Sequence, residues 1–175
     1  MPSSLEKPSA FVIGVVVVGM AVFFLFAHPV MMDDGFQYQG FTEALAQGHL
    51  AFQSFYGFQG LSFFAVPIYW LTHSPISIII ASMIFSLLSI PLAYAVGKKV
   101  YPEYSQAGWL ALVLFLLTPY PYVTMMRGFQ EAALLFFILL IIYGALQRKT
   151  WTGLAWGIGG LVKPFSLVLA PLFIR

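Results

Sequence analysis

The chain has 175 residues, 61% of them hydrophobic and 18% aromatic, with only 8% charged and a formal net charge of +2. Several apolar runs approach the length of a bilayer span, so the composition points to an integral membrane protein; no nucleic-acid partner is expected. The absence of cysteine excludes disulfides, thiolate metal sites and a cysteine nucleophile.

Backbone groups in a bilayer must be satisfied within the segment, and the apolar runs lack the alternation of a barrel. The fold class predicted is therefore all-α: a polytopic transmembrane domain of about five spans, covering 1–175 as one unit. The first span is expected from about Ser9 to Ala27, behind Lys7. Its run is long for a signal peptide, and Phe26-Ala27-His28 is a poor cleavage site, so it reads as a retained anchor.

An outer loop is expected over 29–74. It opens with Asp33 and Asp34, a third of the six acidic residues in the chain, beside the end of the first span, where stray charge is costly. Either aspartate can act as N-cap of a short helix, Gly48 suits its C-terminal stop, and Tyr38, Phe41 and Leu45 fall on one face. An amphipathic helix lying on the outer membrane surface is predicted. A cap needs only one carboxylate, so the capping and functional readings of the pair both stand. Phe63 to Leu71 is too short to cross alone and contains Pro67, which suggests a re-entrant or interfacial helix. The aromatic residues between Phe52 and Trp70 suit a membrane-interface belt.

Further spans are expected at about Ile76 to Gly97, Ala107 to Thr118, Gln130 to Leu146 and Trp151 to Ile174, the last interrupted at Lys163-Pro164. Lys7, Lys98-Lys99 and Arg148-Lys149 then fall on one side, the cytoplasmic one, with the N-terminus inside. The 29–74 loop and the turn from Pro119 to Phe129 face outward.

Arg127 and Lys163 stand apart from the cytoplasmic basic positions. A guanidinium at Arg127 suits a phosphate, or a lipid headgroup by snorkelling. Lys163 lies inside an apolar segment, before a helix-breaking proline, and calls for a cavity or a carboxylate partner such as Glu131. Glu131 opens a span, where a carboxylate complements the helix N-terminus. His28, His49 and His73 lack metal-ligand spacing, and Gly153, Gly157 and Gly160 suggest close helix packing.

In series, the anchor helix, the outer Asp33-Asp34-Gly35-Phe36 motif with Tyr38, the helix ending at Gly48-His49, the Gly128-Phe129-Gln130-Glu131 segment and Gly153 to Pro164 resemble the start of GT-C superfamily glycosyltransferases. That group includes protein O-mannosyltransferases and aminoarabinose transferases. The resemblance implies transfer of a sugar from a polyprenyl-phosphate donor to a lipid, glycan or protein hydroxyl on the extracytoplasmic face of a prokaryotic plasma membrane. Such enzymes often carry Asp-Glu four residues before an aromatic; Asp34 matches, and Gly35 stands in place of the Glu. Asp34, helped by Asp33, is implied as the catalytic carboxylate that takes the acceptor proton or holds a divalent metal. Arg127 and Lys163 are implied as donor-phosphate residues, with Glu131 as supporting acid. Resembling enzymes have more spans. The chain thus reads as the N-terminal portion of a longer enzyme, as a short relative that needs a partner membrane protein, or as a non-catalytic subunit of a larger complex.

Overall fold

The computed structural model describes residues 30–49 and 60–173, with no strand among them. The expected anchor at Ser9 to Ala27 lies outside the described residues, as does the aromatic stretch before Gly60. Seven α-helices follow in order: α1 Asp33–Ala46, α2 Gly60–Thr72, α3 Ser77–Val100, α4 Ala107–Leu117, α5 Pro119–Arg127, α6 Glu131–Leu146 and α7 Thr152–Val162. A 3-10 helix, Pro164–Phe173, closes the described chain.

The all-helical expectation is met. Among the described residues α3, at 24 residues, is the one helix long and apolar enough by itself to cross a membrane. Helices α4 and α5 reach that length only together, with a 53° bend at Thr118. Helices α2, α6 and α7 are apolar but shorter. Pro119 explains the bend: it cannot donate to the preceding turn, and it starts α5 as a first-turn proline. Pro67 does not interrupt α2, which runs through it with the proline exposed.

Helix α3 is the central element and packs against α1, α2, α4, α5 and α6. Its start lies beside the start of α6, where the Ser82 hydroxyl donates to the Phe129 carbonyl at 3.2 Å. Helix α4 turns back along the end of α3, with Tyr94 and Trp109 ring centroids 5.1 Å apart. Helix α7 likewise returns along α6, so that Gly159 sits against Phe137. Lys98-Lys99 and Arg148-Lys149 therefore share the end of the bundle far from the start of α6.

The interior is filled by aliphatic and aromatic side chains, including Leu61, Ile78, Phe85, Ala133, Phe137 and Ile141. Phe85 meets Phe64 edge-on with centroids 5.0 Å apart, and Phe137 with centroids 5.9 Å apart. Small polar residues are buried too: Ser62, Ser77, Ser82, Ser86, Ser89 and Thr124. Large apolar side chains cover much of the outside, such as Leu110, Leu114 and Leu117 on α4. Gly153 and Gly157 have open space around them; of the expected series Gly160 is in packing contact, with Leu167 and Ser166, and the tightest approach is at the neighbouring Gly159.

Candidate functional site

The first turn of α1 carries the two aspartates. Met32, in extended conformation, occupies the N-cap position and makes no side-chain capping bond. The expected aspartate cap is thereby corrected: Asp33 and Asp34 are the first two residues inside the helix, where negative charge faces the exposed amides and favours the dipole. At the other end, the His49 amide donates to the Ala44 carbonyl at 2.9 Å and the Gly48 amide to Leu45 at 2.9 Å. This paired closure needs a left-handed residue, and Gly48 supplies it with φ of 81°.

The face that α1 buries is also corrected. Tyr38, Gln39 and Thr42 are buried, while Phe41 and Leu45 are only half-buried. Gln39 is the reason. Its amide donates to Glu43 Oε1 at 2.9 Å, and its oxygen accepts from the Ser77 hydroxyl at 3.0 Å and the Ile78 amide at 3.2 Å. The Ser62 hydroxyl donates to the Tyr38 carbonyl at 3.0 Å. These bonds tie α1 to the starts of α2 and α3 rather than leaving it loose on a surface.

Gly35 explains how closely α1 approaches α5. A Cβ built there would lie 2.4 Å from the Arg127 carbonyl oxygen, so no larger residue fits without moving a backbone. Glycine at position 35 is thus required by packing.

One turn after Asp34 comes Tyr38, on the same face. The two line a cavity of about 430 Å³ together with Gln130, Lys163, Pro164 and Phe165. Gln130 immediately precedes α6, and Glu131 is its first residue. Lys163 lies at the break between α7 and the 3-10 helix, with φ of −156° and ψ of 132°. Pro164 imposes that break, because a residue before proline is driven out of the helical region. The expected interruption is borne out at these two residues.

Lys163 Nζ is ion-paired and hydrogen-bonded to Glu131 Oε1, with the side chains 23% and 21% exposed. The ammonium also lies 5.6 Å from the Phe165 ring centroid, within reach of its π-face. Gln130 Nε2 donates to the Tyr38 hydroxyl at 3.1 Å. Gln130 is 2% exposed, and its Oε1 has no hydrogen-bond partner among the described residues.

Of the residues singled out in the sequence, Asp34, Lys163 and Glu131 converge here. Asp33 is the first residue of α1. Arg127 ends α5, with its backbone carbonyl against Gly35, and is not among the residues lining the cavity. Tyr38 and Gln130 were missed. Tyr38 reads as part of an apolar stripe, and the signal for Gln130 was its position next to Glu131 at a helix start. Among the described residues no group of three or more histidine or acidic side chains is arranged to hold a metal ion.

A second, smaller cleft of about 250 Å³ lies between α2 and α7, lined by Gly60, Phe63, Phe64, Ile158, Leu161 and Val162. Val162 precedes Lys163, so one stretch of backbone borders both spaces.

The arrangement defines a helical bundle with a half-enclosed cavity carrying a carboxylate, a cation and aromatic walls. No family model, characterised protein or solved structure matches the chain.

Proposed function

We propose that the chain is a polytopic membrane glycosyltransferase module of the GT-C kind, using a polyprenyl-phosphate sugar at the cavity between α1, α6 and the α7 break. The observation that carries the reading is the meeting of Asp34 and Lys163, 129 positions apart in sequence, on one cavity wall. Sugar transfer from a phosphate donor needs these two things: a carboxylate within reach of the acceptor hydroxyl, and a cation for the departing phosphate oxygen. Asp34 takes the proton as the hydroxyl attacks the anomeric carbon. Lys163 meets the negative charge that develops on the leaving phosphate. Asp33 adds negative charge beside Asp34, and Arg127 guides the anionic donor from the adjoining turn. A divalent metal at Asp34 would serve the same carboxylate by polarising the acceptor. The apolar cleft at Val162 suits the polyprenyl chain, because it adjoins the cation that would hold its phosphate.

Membrane insertion is supported by the inverted distribution of side chains: buried serines and threonines, with leucine, valine and phenylalanine outside. Small polar residues at helix contacts and apolar residues outside are what a lipid solvent favours. The basic end, with Lys98, Lys99, Arg148 and Lys149, is then cytoplasmic, and the cavity opens near the extracytoplasmic face. The short helices α2, α6 and α7 reach partway across, and α4 with α5 forms a bent span.

The test is transfer of radiolabelled sugar from polyprenyl-phosphate mannose, glucose or aminoarabinose to endogenous acceptors in membranes containing the full-length protein. Asp34→Asn should lower transfer by at least about a hundredfold while Asp33→Asn lowers it less, in keeping with loss of a general base. Undiminished transfer by a well-folded Asp34→Asn variant would sink the assignment. A non-catalytic subunit is the second reading, favoured by the fully apolar outer face of α4 with Leu110, Leu114 and Leu117. A stoichiometric membrane-protein partner on purification, with no transfer by either chain alone, would select it.

A further inference from the structure

The polar groups of the cavity are unequal in kind. Lys163 is its cation, whereas the Asp34 carboxylate and Gln130 Oε1 are acceptors. The oxygen of Gln130 is sealed from solvent and has no donor among the described residues. Its Nε2 donates to the Tyr38 hydroxyl at 3.1 Å, which leaves the oxygen as the unpaired end of the amide. Buried acceptors are almost always paired, so one left without a donor in a residue that lines the cavity is an address for a donor. A side-chain adjustment of the kind that commonly accompanies binding brings this oxygen to a ligand held in the cavity.

Resting on the proposed glycosyltransferase reading, we infer that Gln130 is a specificity-determining residue that accepts a hydrogen bond from one hydroxyl of the donor sugar, with Tyr38 as the positioning residue that fixes its amide. The ligand class follows from the inventory: a polyhydroxylated ring attached to an anionic phosphate. The phosphate meets Lys163, the hydroxyls meet Asp34 and Gln130, and the ring carbons lie against Tyr38 and Phe165. A site built to hydrogen-bond a hydroxyl rejects the analogue that lacks it far more strongly than a merely shaped pocket does.

The experiment measures equilibrium binding of polyprenyl-phosphate mannose, glucose and galactose, of their monodeoxy analogues, and of sugar-free polyprenyl phosphate to the full chain in nanodiscs. In the wild type, one deoxy analogue should bind at least about tenfold more weakly than its parent sugar. Gln130→Met should bring that ratio below about twofold and leave binding of the sugar-free lipid unchanged. Gln130→Glu keeps an acceptor oxygen and should restore the ratio, which a purely structural role would not produce. The inference is overturned if no sugar lipid binds, if no deoxy analogue is discriminated, or if Gln130→Met weakens the sugar-free lipid as much as the sugar-bearing ones. Because the readout is binding, absence of transfer would refute the enzyme reading alone. Transfer without hydroxyl discrimination would refute the role of Gln130 alone.

Discussion

The Lys163–Glu131 pair offers a perturbation whose effects on stability and on anion binding should have opposite signs. Two unit charges 4 Å apart attract by about 4 kcal/mol at an effective dielectric near 20. Desolvation of both groups offsets much of that gain. Deleting one partner of a fully buried pair costs about 3–5 kcal/mol, chiefly by stranding the other charge. Here each side chain keeps about a fifth of its surface exposed, so solvent screens the stranded charge and the cost falls to about 2–3 kcal/mol. Glu131→Gln and Lys163→Met should each destabilise by that amount, and the double variant by only about 1 kcal/mol. The coupling is then about 3–5 kcal/mol. Unfolding in mixed detergent micelles, followed by tryptophan fluorescence, measures all four corners of the cycle. Lys163 in Glu131→Gln no longer shares its charge, so the less stable protein should bind sugar-free polyprenyl phosphate severalfold more tightly. Additive single effects, or weaker phosphate binding by Glu131→Gln, would refute the view that the two residues form one electrostatic unit facing the cavity.

What could be read from the sequence follows from which forces act locally. The boundaries of α3 and α6 and the break at Lys163-Pro164 were legible because apolar run length and proline stereochemistry act within a few residues. The aspartate pair, Lys163 and Glu131 were legible because charge in an apolar chain is expensive wherever it lies. The buried face of α1 was not. Tyr38, Phe41 and Leu45 form an apolar stripe, yet Gln39 and Thr42 are turned inward, because Ser77 and the Ile78 amide, nearly forty residues away, supply the partners that make burial of Gln39 favourable. Gln130 was hidden for the same reason, since its partner Tyr38 is 92 residues away. The charge of Arg127 is legible in the sequence, whereas the contact of its backbone carbonyl with α1 is not.

These contacts yield two further expectations. Gln39→Leu strands the Ser77 hydroxyl and the Ile78 amide, two buried donors at about 1–3 kcal/mol each, and should destabilise by about 2–4 kcal/mol in the same micelle assay. Adding Ser77→Ala removes one orphan and should recover about 1 kcal/mol; no recovery would mean that Gln39 acts through packing alone. Gly35→Ala tests whether the approach of α1 to α5 positions the carboxylate. The added methyl would stand 2.4 Å from the Arg127 carbonyl oxygen, a backbone atom that cannot swing aside like the end of a side chain. Either α1 or α5 must shift, at about 1–3 kcal/mol. Asp34 is the adjacent residue on α1, so a shift of about an ångström displaces the base from the reacting hydroxyl, while the donor phosphate stays with Lys163 on another element. Sugar transfer should fall by about a hundredfold while binding of sugar-free polyprenyl phosphate changes less than about threefold. Equal losses in both would place the defect in general unfolding, and unchanged stability would show that the α1–α5 contact is looser than the backbone geometry requires.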